Sequence, residues 1–310
     1  MKKSIKKINT PTVTVGISAL NEEKNIKALL QSILTQAEAG FKLEKILLIS
    51  DGSTDNTVKI AYSIKSLKIE IKAHKNRLGL SARLNEIFSS LTSDILIITD
   101  ADVLWGNQYI IRDITKAFLK DNRVMMACGH AKPLKPKSFT EKAVFCTYQG
   151  YAPLKEKLKN SNNILSVHGC ITAFRKEYIK NIRIPLNIIG TDLFTYLDCV
   201  MKGYSYRYVK SALVYFRLPQ TIKDQVKQNT RQVEARKRLK KYFSQSVIDN
   251  EMEIPKFFLL YSLGKQFIKH PILCAYIFII NQYSRRKAYS DGSKQNGKWQ
   301  MVNSTKDLNS

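Results

Sequence analysis

The sequence predicts an α/β protein with a mostly parallel sheet covered by helices, and three observations lead there. Short apolar runs at 13–17, 46–49, 69–73 and 95–98 alternate with helix-like spacing at 22–36, 54–64 and 81–90, the βαβ alternation of a parallel sheet. The runs read as strands that are apolar on both faces, as helices packed on either side require. Three of the four lead into polar loops, and ligands of such sheets bind beyond the carboxyl ends of the strands.

Taken in order, the first strand runs into Ala19-Leu20-Asn21-Glu22-Glu23. The second ends at Asp51-Gly52-Ser53-Thr54-Asp55-Asn56-Thr57, where Gly52 permits a tight turn and Ser53, Thr54 or Asp55 can cap the next helix. The fourth, Ile95-Leu96-Ile97-Ile98-Thr99, delivers Asp100-Ala101-Asp102 to the same edge. Two carboxylates one residue apart at a strand end suit a hard divalent cation shared with a nucleotide diphosphate. An isolated Asp-x-Asp is equally what a solvated turn looks like; the alignment of three such loops on one edge makes this one a candidate site.

From about 124 to 215 the pattern is less regular. A strand is expected at 171–174, a helix at 192–201 closed by Gly203, and one or two tyrosine-rich strands over 204–216, consistent with an acceptor-binding half on the same sheet. Residues 220–243 contain no proline or glycine and set eight Lys and Arg side chains among Ile222, Val226, Val233, Leu239 and Phe243. Such a basic, partly amphipathic helix suits a membrane surface or a polyanion, or a solvated helix with one packed face. The most apolar stretch, 257–283, is interrupted by Lys265, Gln266, Lys269, His270 and Pro271, so neither half supplies the roughly 20 apolar residues a spanning helix needs. Two short helices hinged at Pro271 are expected, lying in the membrane interface, forming a re-entrant hairpin, or packing on the core. The polar remainder from Ser284 is expected to be disordered.

Composition narrows the partners. A chain of 310 residues that is 44% hydrophobic can bury a full core. Its formal net charge of +26 draws it toward anions such as nucleic acid, acidic lipid headgroups or phosphorylated substrates. Five scattered cysteines without a Cys-x-x-Cys pair argue against a zinc site or disulfide framework and fit a reducing compartment. The basic start Met1-Lys2-Lys3-Ser4-Ile5-Lys6-Lys7 is not followed by an apolar core, so it is not a secretory signal, and a cytoplasmic location is expected.

With these motifs in order, the chain resembles the inverting family 2 glycosyltransferases of the GT-A fold over residues 12–243. Residues 15–23 are similar to that family's opening strand and Asn-Glu loop, 51–57 to its Asp-Gly-Ser-Thr-Asp-Asn-Thr segment, and 76–85 to its Asn-x-Gly…Ala-x-Asn stretch; Asp100-Ala101-Asp102 falls where its metal motif lies. The resemblance implies a basic tail (1–11) and a transferase domain (12–243) with a nucleotide-sugar half (12–124) and an acceptor half (125–243). A helical hairpin (244–283) and the polar tail (284–310) would follow.

The same resemblance assigns roles residue by residue. Asn21, Glu22 and Asp51 would hold the nucleobase and ribose, with Asn76 also on the donor side. Asp100 would sit near the ribose and sugar, and Asp102 would bind Mg²⁺ or Mn²⁺ bridging the diphosphate. An inverting transfer needs a base opposite the leaving group, and Asp192 in Gly190-Thr191-Asp192-Leu193 takes that place, although Thr191 stands where the family usually carries Glu. Asp198 is the near competitor, on a largely different helix face. Gly169 would admit an acceptor sugar closely, and His168 would either contact the acceptor or simply pack. Gln228 and Arg231 match the Gln-x-x-Arg of processive relatives, but Gln232 replaces the following tryptophan, which removes a stacking platform for a growing chain; Arg231 would neutralise diphosphate.

The implied activity is transfer of a sugar from a nucleotide-diphospho-sugar to a hydroxyl of a glycan or lipid-linked acceptor. It would serve cell-surface polysaccharide or glycoconjugate synthesis, with the enzyme peripheral or monotopic at the anionic inner face of the cell membrane and no nucleic acid as partner. A polyprenyl-phosphate sugar transferase is the near alternative, since a phosphate acceptor needs no strong base. A non-catalytic basic module for membrane or nucleic acid is the alternative of another class, resting on charge alone.

Overall fold

The computed structural model describes residues 10–290 and 301–308. Its first half follows the expected alternation: β1 (Thr12–Ala19), α1 (Ile26–Leu34), β2 (Lys42–Asp51), α2 (Thr57–Ser63), β3 (Ile69–His74), α3 (Leu80–Ser89) and β4 (Ile95–Asp100). Then come β5 (Val103–Trp105), α4 (Ile110–Lys120), β6 (Val124–Pro133), α5 (Phe139–Lys157), β7 (Ile171–Arg175), α6 (Lys176–Ile179), α7 (Thr191–Met201) and β8 (Ser205–Phe216). The chain continues through α8 (Ile222–Leu239), α9 (Gln245–Met252), α10 (Lys256–Lys269) and α11 (Pro271–Ser290).

All eight strands join one sheet in the order β3-β2-β1-β4-β7-β6-β8-β5. β1, β2, β3 and β4 pair in parallel, as do β6 and β8. β7 runs antiparallel to both β4 and β6, and β5 antiparallel to β8. The sheet is therefore mixed, with the parallel half supplying the loops that sequence singled out.

Alternation along the strands divides the core between two faces. Ile46, Leu48, Ile95 and Ile97 meet α1 and α4 on one side, while Leu47, Ile49, Leu96 and Ile98 meet α3 and α7 on the other. Burying each such side chain contributes about 1.5–3 kcal/mol, which explains why these strands carry no polar face. Gly16 of β1 lets α3 approach closely: a Cβ there would stand 2.8 Å from both Ile87 and Ile98 side-chain carbons.

α5 begins with a capping box, in which Ser138 accepts from the Glu141 N–H and Glu141 accepts from the Ser138 N–H. α10 and α11 form the expected pair of helices about Pro271. α11 packs one face on α5 and α8 through Ile277, Ile280, Ala143 and Val226, and Asn229 donates to Asn281 at 2.7 Å. The opposite surface of the pair stays open, with Phe257, Leu260, Ile268, Ile272 and Ile279 exposed. Among the described residues no helix is long and apolar enough to cross a membrane.

The expected disorder from residue 284 onward is corrected for 284–290 and 301–308. α11 continues to Ser290, with Ser284 bonded to the Ile280 carbonyl inside the helix, and 301–308 lies against the body of the protein with Leu308 as a buried anchor. The remainder of that tail, and all but the last two residues of the basic tail 1–11, lie outside the described residues.

Because Gly16 is filled around by Ile87 and Ile98, Gly16→Val should destabilise the fold by about 1–3 kcal/mol through overpacking. Urea denaturation should show a lower midpoint at unchanged slope.

Candidate active site

Two loops at the carboxyl edge of the sheet are joined by reciprocal hydrogen bonds. Asn21, in the left-handed region at φ 56°, accepts the Thr54 N–H on its amide oxygen at 2.8 Å and donates its own N–H to Ser53 Oγ at 3.1 Å. The Glu22 N–H donates to Thr57 Oγ1 at 2.7 Å, and the Glu23 N–H to Asp55 Oδ2 at 3.1 Å. Glu23 in turn accepts from the Asn56 N–H and side-chain amide. Most of the Ser-Thr-Asp-Asn-Thr side chains are thus engaged in fixing one loop to the other, which leaves Glu22 directed to the interior.

Asp51 fixes the third loop. Its carboxylate accepts from the Leu78 and Gly79 N–H groups at 2.8 and 2.9 Å and from Arg83 Nε at 2.7 Å. Gly52 has φ 81°, and a Cβ there would approach the backbone of Arg77 and Lys75 at 3.0 and 3.1 Å, so only glycine suits this turn. Asn76 lies at the exposed tip of that loop, its carbonyl accepting from Arg83 Nη2 at 2.8 Å.

The acidic pair lies where β4 ends. Burial, then the neighbouring Asp102, push the Asp100 carboxyl up to about 7; Asp192 and Glu22 add to this, and Arg231 opposes it. Asp102 is raised by burial against the pull of Lys306 and Arg231. Burial and Asp102 likewise hold Glu22 up at about 7 despite Lys306. Asp192 enters from the first turn of α7, raised by burial and opposed by the Leu193 N–H and Arg231. Asp100 thus feels Asp102, Asp192 and Glu22 in a partly desolvated mouth, where Arg231 of α8 acts on Asp100, Asp102 and Asp192 and Lys306 acts on Glu22 and Asp102.

Of the residues expected on the acceptor side, Gly169 is shown beside the acidic pair. A Cβ on Gly169 would touch Asp100 Oδ2 at 3.4 Å, so this glycine leaves space beside the carboxylate. His168 directs Nε2 at the β6 backbone, near Gly129 O and the Ala131 N–H at 3.0 and 3.2 Å, while Nδ1 is buried without a partner. Gln228 stands one helical turn before Arg231 on α8, half-buried.

Reasoning from sequence missed two members. Arg83 is buried as the partner of Asp51 and Glu86, and its position in an i, i+3 pair with Glu86 was a readable cue. Lys306 reaches Glu22 from the C-terminal segment; a lysine in a polar tail carries no comparable signal.

A divalent cation suits this chemistry. Asp100 and Asp102 offer hard oxygen donors whose ionised forms lack full compensation, the condition under which a cation binds. Among the described residues no three His, Cys, Asp or Glu side chains gather closely enough to cage an ion. Mg²⁺ ordinarily binds through one or two carboxylates plus substrate phosphates and water, which the pair fits.

A mixed sheet with an acidic pair at the end of its central parallel strand, faced by a helix-borne aspartate and arginine, defines a GT-A glycosyltransferase architecture. Solved structures share it: a mannosyltransferase from Pyrobaculum calidifontis in complex with GDP-Man and Mn²⁺ has a TM-score of 0.58 at 18% identity, over 92% of this chain and 77% of that one. Glucosyl-3-phosphoglycerate synthase from Mycobacterium tuberculosis, with Mn²⁺, UDP and phosphoglyceric acid, has a TM-score of 0.53 at 13% identity, over 79% and 80%. These likenesses are of fold.

The chain belongs to glycosyl transferase family 2, whose family model matches residues 14–183. Poly-β-1,6-N-acetyl-D-glucosamine synthases from Staphylococcus aureus and Staphylococcus epidermidis are 23% and 24% identical over 226 and 229 residues, covering 71% and 70% of this chain. The chain spans about half the length of these curated relatives, 53% in each case.

The crowded carboxylates predict a trade of stability for function. Asp100→Asn should raise stability in metal-free buffer by on the order of 1 kcal/mol at pH 8. Because the folded carboxyl of Asp100 titrates above its unfolded value, its contribution is full at low pH and is lost as pH rises toward and past 7. The gain from the substitution should therefore be near zero below about pH 4, grow between about pH 4 and 7, and be largest at pH 8, as read by urea midpoints.

Proposed function

We propose that the protein is an inverting glycosyltransferase that moves a sugar from a nucleotide-diphospho-sugar to a hydroxyl of a glycan or lipid-linked acceptor. The observation that carries this reading is the convergence of Asp100, Asp102, Asp192 and Arg231 on one mouth. The nucleoside half of the donor would lie along the loops of Asn21, Glu22, Asp51 and Asn76. Mg²⁺ or Mn²⁺, held by Asp102 with Asp100 beside it, would supply neutralisation of the charge that grows on the leaving diphosphate.

The chain's own side chains account for the rest. Asp192 takes the proton from the acceptor hydroxyl as that oxygen bonds the anomeric carbon, and the bond from that carbon to the diphosphate breaks on the opposite face. Burial raises the Asp192 carboxyl, which makes its ionised form a stronger base than a solvated aspartate. Arg231, which already acts on Asp100, Asp102 and Asp192, would counter the charge on the departing phosphate oxygens. Gly169 keeps the space beside Asp100 open for the acceptor sugar, and His168 Nδ1 and Gln228 border that side.

The exposed apolar surface of α10 and α11, with Lys256, Lys265 and Lys269 on the same helix pair, supports attachment at an anionic membrane surface, where apolar side chains and lysines act together. The name of the curated relatives, poly-β-1,6-N-acetyl-D-glucosamine synthase, favours a role in polysaccharide synthesis. The absence of tryptophan after Arg231 favours transfer of one or a few sugars over long processive synthesis.

Turnover separates the assigned roles. Asp102→Ala should abolish release of nucleoside diphosphate from the donor, and Asp192→Asn should slow transfer by about 10²–10⁴-fold while donor affinity stays within about twofold. If Asp192→Asn instead turned over like the parent, the hydroxyl acceptor would be wrong and a phosphate acceptor, as in polyprenyl-phosphate sugar transfer, would replace it.

A further inference from the structure

The segment 301–308 crosses the donor mouth from one half of the sheet to the other. On the acceptor half, the Ser304 N–H donates to Asp224 at 3.0 Å, and Gln220 bonds Ser304 through both its N–H and its side-chain amide at 3.1 Å. Arg217 donates to the Asp307 and Leu308 carbonyls at 3.3 Å. On the donor half, Asn25 donates to the Lys306 carbonyl at 2.7 Å, and Lys24 pairs with Asp307 at 2.8 Å.

Lys306 is the centre of this strap. Its ammonium donates to the Leu20 carbonyl at 2.6 Å, to the Asn21 carbonyl at 3.1 Å and to the Glu22 carboxylate. All three N–H donors of a lysine are thereby used, on the three residues that turn the chain out of β1. Two of the acceptors are carbonyls flanking the left-handed Asn21, a conformation that costs free energy unless its surroundings hold it. The third is one of the crowded carboxylates. The strap thus brings a fixed positive charge into a mouth that otherwise holds four carboxylates against Arg231.

We infer that Lys306 is a positioning residue for the nucleotide donor: the strap holds the Leu20–Glu22 turn in its binding form and lends the mouth a cation that attracts the diphosphate. The inference rests on the donor-site reading above. Charge fixes its consequences with opposite signs. A resident ammonium repels a divalent cation arriving alone and attracts a diphosphate, so its removal should tighten the first and weaken the second.

The test titrates the full chain and its Lys306→Met and Lys306→Arg variants with Mn²⁺ alone, followed by electron paramagnetic resonance, and with UDP and GDP in saturating Mn²⁺ by calorimetry. Lys306→Met should bind Mn²⁺ alone about threefold more tightly or better and the nucleotide about tenfold more weakly. Lys306→Arg should stay near the parent on both. A purely structural role would weaken both ligands in Lys306→Met, and an autoinhibitory plug would tighten both; either result overturns the inference, as does no change. If the parent itself bound neither Mn²⁺ nor nucleotide, the donor-site reading would fall first and the inference with it, whereas a parent that binds both confines any failure to Lys306.

Discussion

Like charge held in a partly desolvated mouth is the constraint around which this molecule is organised. Glu22, the Asp100-Asp102 pair and Asp192 come from three different places in the chain, and burial raises each of these carboxyls. Such a cluster opposes folding, so the rest of the structure has to hold it together. Parallel strands buried on both faces bring the first three to one edge, and α7 and α8 bring the fourth with Arg231. On the proposed reading, what opposes folding would favour a cation together with its diphosphate, because the charges would need no rearrangement when the ligands arrive.

Rigidity at that edge comes from small polar side chains. The loops after β1 and β2 are zipped through Asn21, Ser53, Asp55 and Thr57, and Asp51 ties the loop after β3 to Arg83. The Asp-Gly-Ser-Thr-Asp-Asn-Thr segment therefore acts largely as a fastener between loops. Asn21 shows the consequence: its amide oxygen serves Thr54, so any contact it makes with a donor must come from its remaining groups. Glu22, held by Lys306 and Asn25, faces the mouth instead.

Much of this was legible in the sequence because the physics was local. Apolar runs followed by Asn-Glu, Asp-Gly-Ser or Asp-x-Asp disclose both the strand and what lies at its end, and three of the four parallel strands and the acidic pair are legible that way, the third from its apolar run alone. β6 was hidden because Gly129 and Pro133 read as breakers, yet Gly129 is needed where β8 passes: a Cβ there would stand 2.5 Å from the Ala212 carbonyl oxygen. α5 was hidden by Gly150 and Pro153 and by contacts on more than one side, with Leu263 of α10 against Gly150 and Tyr276 of α11 against Thr140, which blur any single apolar stripe. Lys306 had no signal at all, since its role depends on a contact with Glu22 across the length of the chain.

The central claim is that the acidic mouth is built to take a metal and a nucleotide together. The most direct measurement is calorimetric titration of the intact protein with UDP, GDP and dTDP, each with Mn²⁺ and again with chelator. The account predicts that one nucleotide binds with Mn²⁺ and that its affinity falls by at least about a hundredfold when the metal is removed, a coupling of roughly 2.7 kcal/mol. Equal affinity in chelator, or no heat with any of the three, would contradict it.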